Sequence, residues 1–302
     1  MTETTSRPTD DLVAAFQIEG WPLRGRIVRL GASIDEVLTR HAYPEPVADL
    51  LGEACALAAL VGSSLKFEGK LIVQAQGDGP VSLVVADYDT TGGLRGYCSF
   101  DPDRVAGAST GFARPGAKTL LGQGVFIMTI DQGPETERYQ GITAIEGETL
   151  ALCAEQYFAQ SEQTPTRVRL AVGQVDTGEG PTWRAGGILI QNVASDDARG
   201  STEEVWERAQ ALFATTGEDE LIDPTLPGET LLWRLFNEDG VRVFEAKPLR
   251  AFCRCSQERV ATVLGSFSDA ERAEMVEPDG KIHVTCEYCS RTYELEQALT
   301  SQ

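Results

Sequence analysis

Four cysteines near the C-terminal end constrain this chain more than any other feature. Cys253-Arg254-Cys255 and Cys286-Glu287-Tyr288-Cys289 bracket thirty intervening residues. The stretch between them has too few apolar positions to build a core of its own, so a module of this size needs a staple. Four thiolates are a complete donor set for zinc, which takes tetrahedral sulfur ligands at ~2.3 Å in closed sites. Metal binding contributes roughly 10–16 kcal/mol to such small folds, as much as or more than their whole stability, so losing the ion should unfold the module. A single residue between the first two cysteines holds their sulfurs under a tighter backbone constraint than the two to four found in ordinary zinc ribbons. A plain structural zinc site and a redox-active one both fit this pattern, because coordination keeps the thiolate form that oxidants attack.

The remaining cysteines, Cys55, Cys98 and Cys153, are scattered singly and read as buried thiols packed like small hydrophobes. Seven cysteines with no apolar leader in the polar segment from Met1 to Asp11 argue for a reducing, cytoplasmic setting. The longest unbroken apolar run, Ala54 to Val61, is far below the ~18 residues of a membrane span. The chain has 302 residues, 26 basic and 46 acidic, for a formal net charge of -20. That balance disfavours nucleic acid and anionic membranes as partners, since phosphate binding needs clustered Lys and Arg.

The pattern along the chain predicts an α+β fold in three parts: a core of mixed sheet and helix over 1–195, a helical linker over 196–247, and a small zinc-binding module over 248–302. In the core, Phe16–Ile18 and Gly25–Val28 read as strands, and Ser33 with Glu36 has the form of a helix capping box. Between Pro46 and Lys66, apolar residues fall on one helical face. Lys70–Gln76 and Val81–Asp87 flank the turn Gly77-Asp78-Gly79-Pro80, predicting a hairpin. Tyr97–Phe100, Val125–Ile130, Val168–Val175 and Gly187–Val193 continue as strands, with a helix over Thr149–Ser161. In the linker, polar Ser195–Gly200 precedes a capping box at Ser201–Glu204 and a helix with Val205, Ala209, Leu212 and Phe213 on one face. A shorter amphipathic helix covers Glu229–Phe236, followed by a strand at Val241–Phe244. In the module, Ser256 caps a helix with Val260, Val263, Leu264 and Phe267 at core spacing. Ser268 with Glu271 forms another box, and strands at Ile282–Val284 and Tyr293–Leu295 follow.

Other chemistries are poorly supplied. Gly122-Gln123-Gly124 is not followed by the Lys and Ser or Thr of a phosphate-binding loop. His41 and His283 are the only histidines, too few for a histidine-based triad or metal cluster. His283 reads as a surface strand residue, Tyr288 as a packing residue, and His41 as a charge or contact at a helix end. Cys286-x-x-Cys289 alone would suit a thiol-disulfide oxidoreductase, but no thioredoxin-like βαβ pattern surrounds it. A zinc-ribbon nucleic-acid binder is the other alternative. From Pro248 onward, however, six basic residues face nine acidic ones, the wrong electrostatic footprint.

The stretch Phe252-Cys253-Arg254-Cys255-Ser256 with Cys286-Glu287-Tyr288-Cys289 resembles the heat shock protein 33 family of redox-regulated chaperones. The likeness extends in order through Leu121-Gly122-Gln123-Gly124, Gln156–Gln163, Ala185–Gln191 and Leu232-Trp233-Arg234-Leu235-Phe236, nearly the whole chain. The resemblance implies a non-enzymatic holdase acting without ATP, with zinc held by Cys253, Cys255, Cys286 and Cys289 in the reduced, inactive state. It further implies that oxidation links Cys253 to Cys255 and Cys286 to Cys289 and releases the zinc. The module and linker then loosen, and the exposed apolar surface captures unfolding client proteins, with homodimerisation on activation. The sequence departs from the family pattern at Ser256-Gln257-Glu258-Arg259, where Ser-Arg-Glu-Arg is expected, and at Glu294-Leu295-Glu296-Gln297, where a more apolar strand end is expected. Neither departure touches a cysteine.

Overall fold

The computed structural model describes residues 10–296 except 67, 110–113, 134–135, 177, 179 and 194–201. The stretch Ser195–Gly200, the cap at Ser201, Gln297 and the first nine residues therefore lie outside the described residues. Two compact units divide the chain between Ala251 and Phe252.

The first unit begins with the hairpin Leu12–Ile18 (β1) and Leu23–Leu30 (β2), then helices Ala32–Thr39 (α1) and Glu45–Gly62 (α2). Strands Lys70–Gly77 (β3), Val81–Asp89 (β4) and Gly93–Phe100 (β5) follow, then Pro102–Ala108 (α3) and Ala117–Leu121 (α4). Gly124–Asp131 (β6), Tyr139–Ala144 (β7), Leu150–Ser161 (α5), Thr166–Asp176 (β8) and Pro181–Asn192 (β9) come next. Helices Thr202–Ala214 (α6), Glu218–Ile222 (α7) and Gly228–Phe236 (α8) precede three short strands, Val241–Val243 (β10), Lys247–Pro248 (β11) and Arg250–Ala251 (β12). One sheet runs β10-β1-β2-β9-β8, with β11 also paired to β1. The other runs β12-β5-β4-β3-β6-β7, antiparallel except where β12 joins β5. The fold is thus α+β, as the sequence pattern predicts.

Between the two sheets runs α2, touching strands of both. The sequence suggests one apolar face; the structure buries this helix on nearly every side, 14 of its 18 residues. A helix covered by sheet on both sides has no solvent face, and small residues at Ala48, Ala54, Ala56, Ala58 and Ala59 keep it slim. At Gly62 the approach is closest, since a Cβ there would lie 2.3 Å from the Tyr88 ring. One polar exception is Asp49, 7% exposed, whose carboxylate sits 3.0 Å from Arg114 Nε. Burial pushes that carboxyl up to about 7 despite Arg114, and Glu45 adds to the rise.

The box expected at Ser33 and Glu36 is not the cap of α1, which starts earlier, behind Gly31. The Asp11 carboxylate instead accepts from the amides of Gly31 and Ser33, each at 3.0 Å. A carboxylate from the residue just before β1 takes the place of the local cap. The β3–β4 turn packs on the joint between α4 and β6, where Gly79 N donates to Leu121 O at 2.9 Å and Gln123 N to Asp78 Oδ1 at 2.8 Å. This explains Leu121-Gly122-Gln123-Gly124 without any phosphate chemistry, because Gly122 adopts φ +69° there.

The outer face of the β10-β1-β2-β9-β8 sheet presents Ala14, Phe16, Ile18, Ile27, Ile188 and Ile190 to α6, α7 and α8. From α6, Ala209 and Phe213 are buried against it at 0% and 5% exposure, with Trp206 and Leu212 half-buried alongside. From α8 come Leu231, Leu232, Leu235 and Phe236, while Trp233 points out at 61% exposure. Close approach of α7 depends on Gly186, where a Cβ would fall 2.1 Å from the Leu221 carbonyl oxygen. Two buried arginines of the sheet bind the end of α7. Arg29 donates to the carbonyls of Glu220, at 3.1 Å, and Asp223, and Arg184 donates to that of Ile222 at 2.6 Å. These carbonyls have no intrahelical partner, so the guanidinium groups satisfy the helix end.

Candidate metal centre

The second unit contains Gln257–Leu264 (α9), Asp269–Glu274 (α10) and the hairpin Lys281–Thr285 (β13) with Thr292–Glu296 (β14). Ser256 Oγ accepts from Arg259 N and caps α9, and Ser268 with Glu271 closes both bonds of a capping box on α10. The predicted apolar stripe on α9 is only partly used: Leu264 is buried, whereas Val263 and Phe267 are exposed at 61% and 38%. Among the described residues the unit's fully buried apolar core is Leu264, Ile282 and Leu295. Ile282 and Leu295 face each other across the hairpin. Three fully buried side chains with six partly buried ones packed around them make a small core for a unit of this length, one that a cross-link would reinforce.

The four cysteines supply that cross-link's location. Cys286 and Cys289 lie in the turn that joins β13 to β14, and Cys253 and Cys255 lie in the extended segment before α9. Their sulfurs all fall within 4.8 Å of one another. Cys253 Sγ is 3.7 Å from Cys286 Sγ, and Cys255 Sγ is 3.3 Å from Cys289 Sγ. A tetrahedral ion with ~2.3 Å bonds to sulfur requires sulfur–sulfur edges of ~3.8 Å, so the set fits such an ion with small adjustments. All four cysteines are half-buried. The cluster can therefore hold a metal ion.

Electrostatics at the four sulfurs are unequal. Burial raises Cys255, but hydrogen bonds from Tyr293 first and from the neighbouring thiols outweigh it and bring it down to about 7. Burial raises Cys286, an effect opposed by the amides of Cys289 and Tyr288 and reinforced by Cys253. Burial pushes Cys289 up to about 12, against the amide of Arg291. Backbone N–H groups aimed at these sulfurs favour their ionised form, which is the form that ligates metal. The Tyr293 hydroxyl donates to Cys255 Sγ at 3.1 Å. Sequence reading places Tyr293 only as a strand residue; its role at the sulfur follows from the strand register and has no local signature. His283 stands on β13 with Nε2 2.8 Å from Asp279 Oδ2 and is not part of the cluster.

The other three cysteines are buried in the first unit, and burial raises each thiol, Cys55 to about 12. Such thiols are poor nucleophiles. His41 packs its ring 4.9 Å from that of Tyr43. Among the described residues no helix is long and apolar enough to cross a membrane.

Comparison with known proteins agrees with this architecture. Residues 11–296 match the family described as Hsp33 protein. A 33 kDa chaperonin of Caulobacter vibrioides is 77% identical over 287 residues, covering 95% of each chain. One from Escherichia coli is 36% identical over 286 residues, covering 95% of this chain and 92% of that one. The crystal structure of a 33 kDa chaperonin from Thermotoga maritima superposes with a TM-score of 0.77 over 96% of both chains at 24% identity, a likeness of fold. A four-cysteine cluster on a hairpin and an adjoining segment, a two-sheet core, and this extent of identity lead to one assignment: the chain belongs to the Hsp33 family of 33 kDa chaperonins, not to a family of enzymes.

Proposed function

We propose that this protein is a cytoplasmic, redox-regulated holdase that binds unfolding client proteins without ATP. The observation that carries the reading is a unit whose fully buried apolar core is three residues and whose four half-buried thiols converge within 4.8 Å. In the reduced state Cys253, Cys255, Cys286 and Cys289 ligate one zinc ion, which supplies the cross-link that a core this small lacks. Oxidation pairs Cys253 with Cys255 and Cys286 with Cys289, each disulfide passing two electrons to the oxidant. Four thiolate ligands are then lost together, and the C-terminal module unfolds. Residues 196–247 act as the linker in this scheme. Loss of module order shifts α6–α8 from docked to undocked, uncovering the apolar outer face of the sheet, and the active form is a homodimer.

Light scattering of a heat-unfolded client in ATP-free buffer tests the reading, with reduced and peroxide-treated protein compared. Suppression of aggregation by the oxidised form alone is the expected result. Equal activity of both forms, or catalytic turnover of a dithiol substrate, overturns it and favours an oxidoreductase.

A further inference from the structure

A cavity of about 180 Å³ remains in the first unit beside the C-terminal end of α2. Its inner wall is apolar, formed by Leu71 of β3, Met128 of β6 and Leu189 of β9, which are 1%, 2% and 1% exposed. Its outer part carries two cations on one face of β2, Arg24, which is exposed, and Arg26, which is half-buried. They stand opposite Gln191 and Leu189 in the strand register. Arg24 Nε donates to Gln191 Oε1 at 3.2 Å, a neutral partner. Among the described residues neither guanidinium has a carboxylate within ion-pair distance. The cavity does include Glu162, but its Oε1 accepts from the hydroxyls of Tyr139, at 3.1 Å, and Tyr157, at 3.5 Å. Burial, with Arg24's charge beside it, brings Arg26 down to about 10.

Two like charges held together at the rim of an apolar hole are costly unless an anion joins them. Strand alternation places both on the sheet face that also carries buried Val28 and Leu30, with Arg26 half-buried there and Arg24 reaching solvent at the mouth. We infer that this cavity is a binding site for a small monocarboxylate with a compact apolar body, its carboxylate on Arg24 and Arg26 and its hydrocarbon part against Leu71, Met128 and Leu189. An apolar cavity of about 150 Å³ holds a benzene-sized molecule, so the site takes a ligand of roughly six to ten non-hydrogen atoms, such as hexanoate. A planar guanidinium pairs bidentately with carboxylate and phosphate alike; the apolar inner wall of Leu71, Met128 and Leu189 favours a monoanion that carries a hydrocarbon body. The site is built wholly from the first unit and uses none of the redox cysteines.

Methionine provides a local reporter, because the chain has only three: Met1, Met128 and Met275. Full-length, reduced, zinc-loaded protein labelled at the methionine methyl carbons is titrated with hexanoate and, separately, with hexan-1-ol, the Met128 signal being identified by Met128→Leu. Hexanoate should move the Met128 methyl saturably at one ligand per chain and leave Met275 unmoved, with hexanol at least tenfold weaker. Arg26→Gln should weaken hexanoate at least tenfold and leave hexanol unchanged. Equal affinity for acid and alcohol, no shift of Met128 with millimolar hexanoate, or full affinity in Arg26→Gln overturns the assignment. Should Arg26→Gln fail to fold, the acid-against-alcohol comparison on the unmodified chain decides by itself.

Discussion

Replacing Phe213 by alanine isolates the contact on which the proposed switch turns. Phe213 is 5% exposed, at the last turn of α6, and among the described side chains of that helix only Ala209 is buried beside it. Truncating a buried phenylalanine costs about 3–5 kcal/mol from lost transfer energy and the cavity left behind. A thirteen-residue helix is marginal in isolation, so that loss falls on docking of α6 and not on its intrinsic helicity. An equilibrium released by a chemical signal is held by a few kcal/mol, and 3–5 kcal/mol shifts it by roughly 10²–10³-fold or more. Reduced, zinc-loaded Phe213→Ala should therefore show fast amide exchange across residues 202–214 while α2 keeps its protection, and it should suppress client aggregation before oxidation. Trp233→Ala, at a side chain 61% exposed on α8, is the control and should change stability by less than ~0.5 kcal/mol. Unchanged protection over 202–214, with activity still dependent on oxidation, refutes the docking argument.

Elemental analysis of the reduced chain should give one zinc, and Cys253→Ser with Cys255→Ser should abolish it; stoichiometric zinc in that variant is incompatible with the ligand set. Peptide mapping after oxidation should find the within-pair disulfides, although the close reduced contacts at 3.7 and 3.3 Å run between the pairs. Closing a loop across one or two residues costs less entropy than across thirty once the module has loosened, so dominant cross-pair linkage would count against unfolding on oxidation. Tyr293→Phe removes the largest force lowering Cys255 and should raise that thiol above about 7 in the metal-free protein, read from thiolate absorbance. Asp49 has a folded pKa raised to about 7, so the native state holds its proton more tightly than the unfolded one. Its contribution is present in full below pH ~4 and is lost as pH rises to about 7, a decline on the order of 4 kcal/mol. Asp49→Asn should flatten that part of the stability profile, and an unchanged slope would exclude the carboxyl as its source.

The sequence reveals the parts of this fold that carry their own periodicity. The β3–β4 hairpin, α5 behind its Thr149 cap, α8 and the β13–β14 hairpin all lie close to where local patterns put them. Elements whose existence depends on a distant partner escaped it. The edge strand β7 is exposed along most of its length and shows no alternation, and β11 and β12 are two-residue segments defined only by pairing with β1 and β5. The cap of α1 came from Asp11 for the same reason. At the metal centre the cysteine pairs were legible because each is local in sequence. The hydroxyl of Tyr293 on Cys255 was not, because 38 positions separate the two residues. The shared face of Arg24 and Arg26 beside a cavity likewise shows only in the register of β2 against β9, which sets them opposite Gln191 and Leu189.

The pairing of β10 and β11 with β1 has a kinetic consequence for α6–α8. These helices run between β9, an interior strand of the sheet, and β10, at its opposite edge, so they form an insertion anchored at both ends to the surface they cover. Release of the helices is the opening of a closed loop of about fifty residues, and neither end needs to leave the sheet. Return is then a unimolecular step at an effective concentration of roughly millimolar, far above that of any client in dilute solution. Redocking of α6–α8 should follow first-order kinetics independent of protein concentration, and a client bound on the sheet face should slow it.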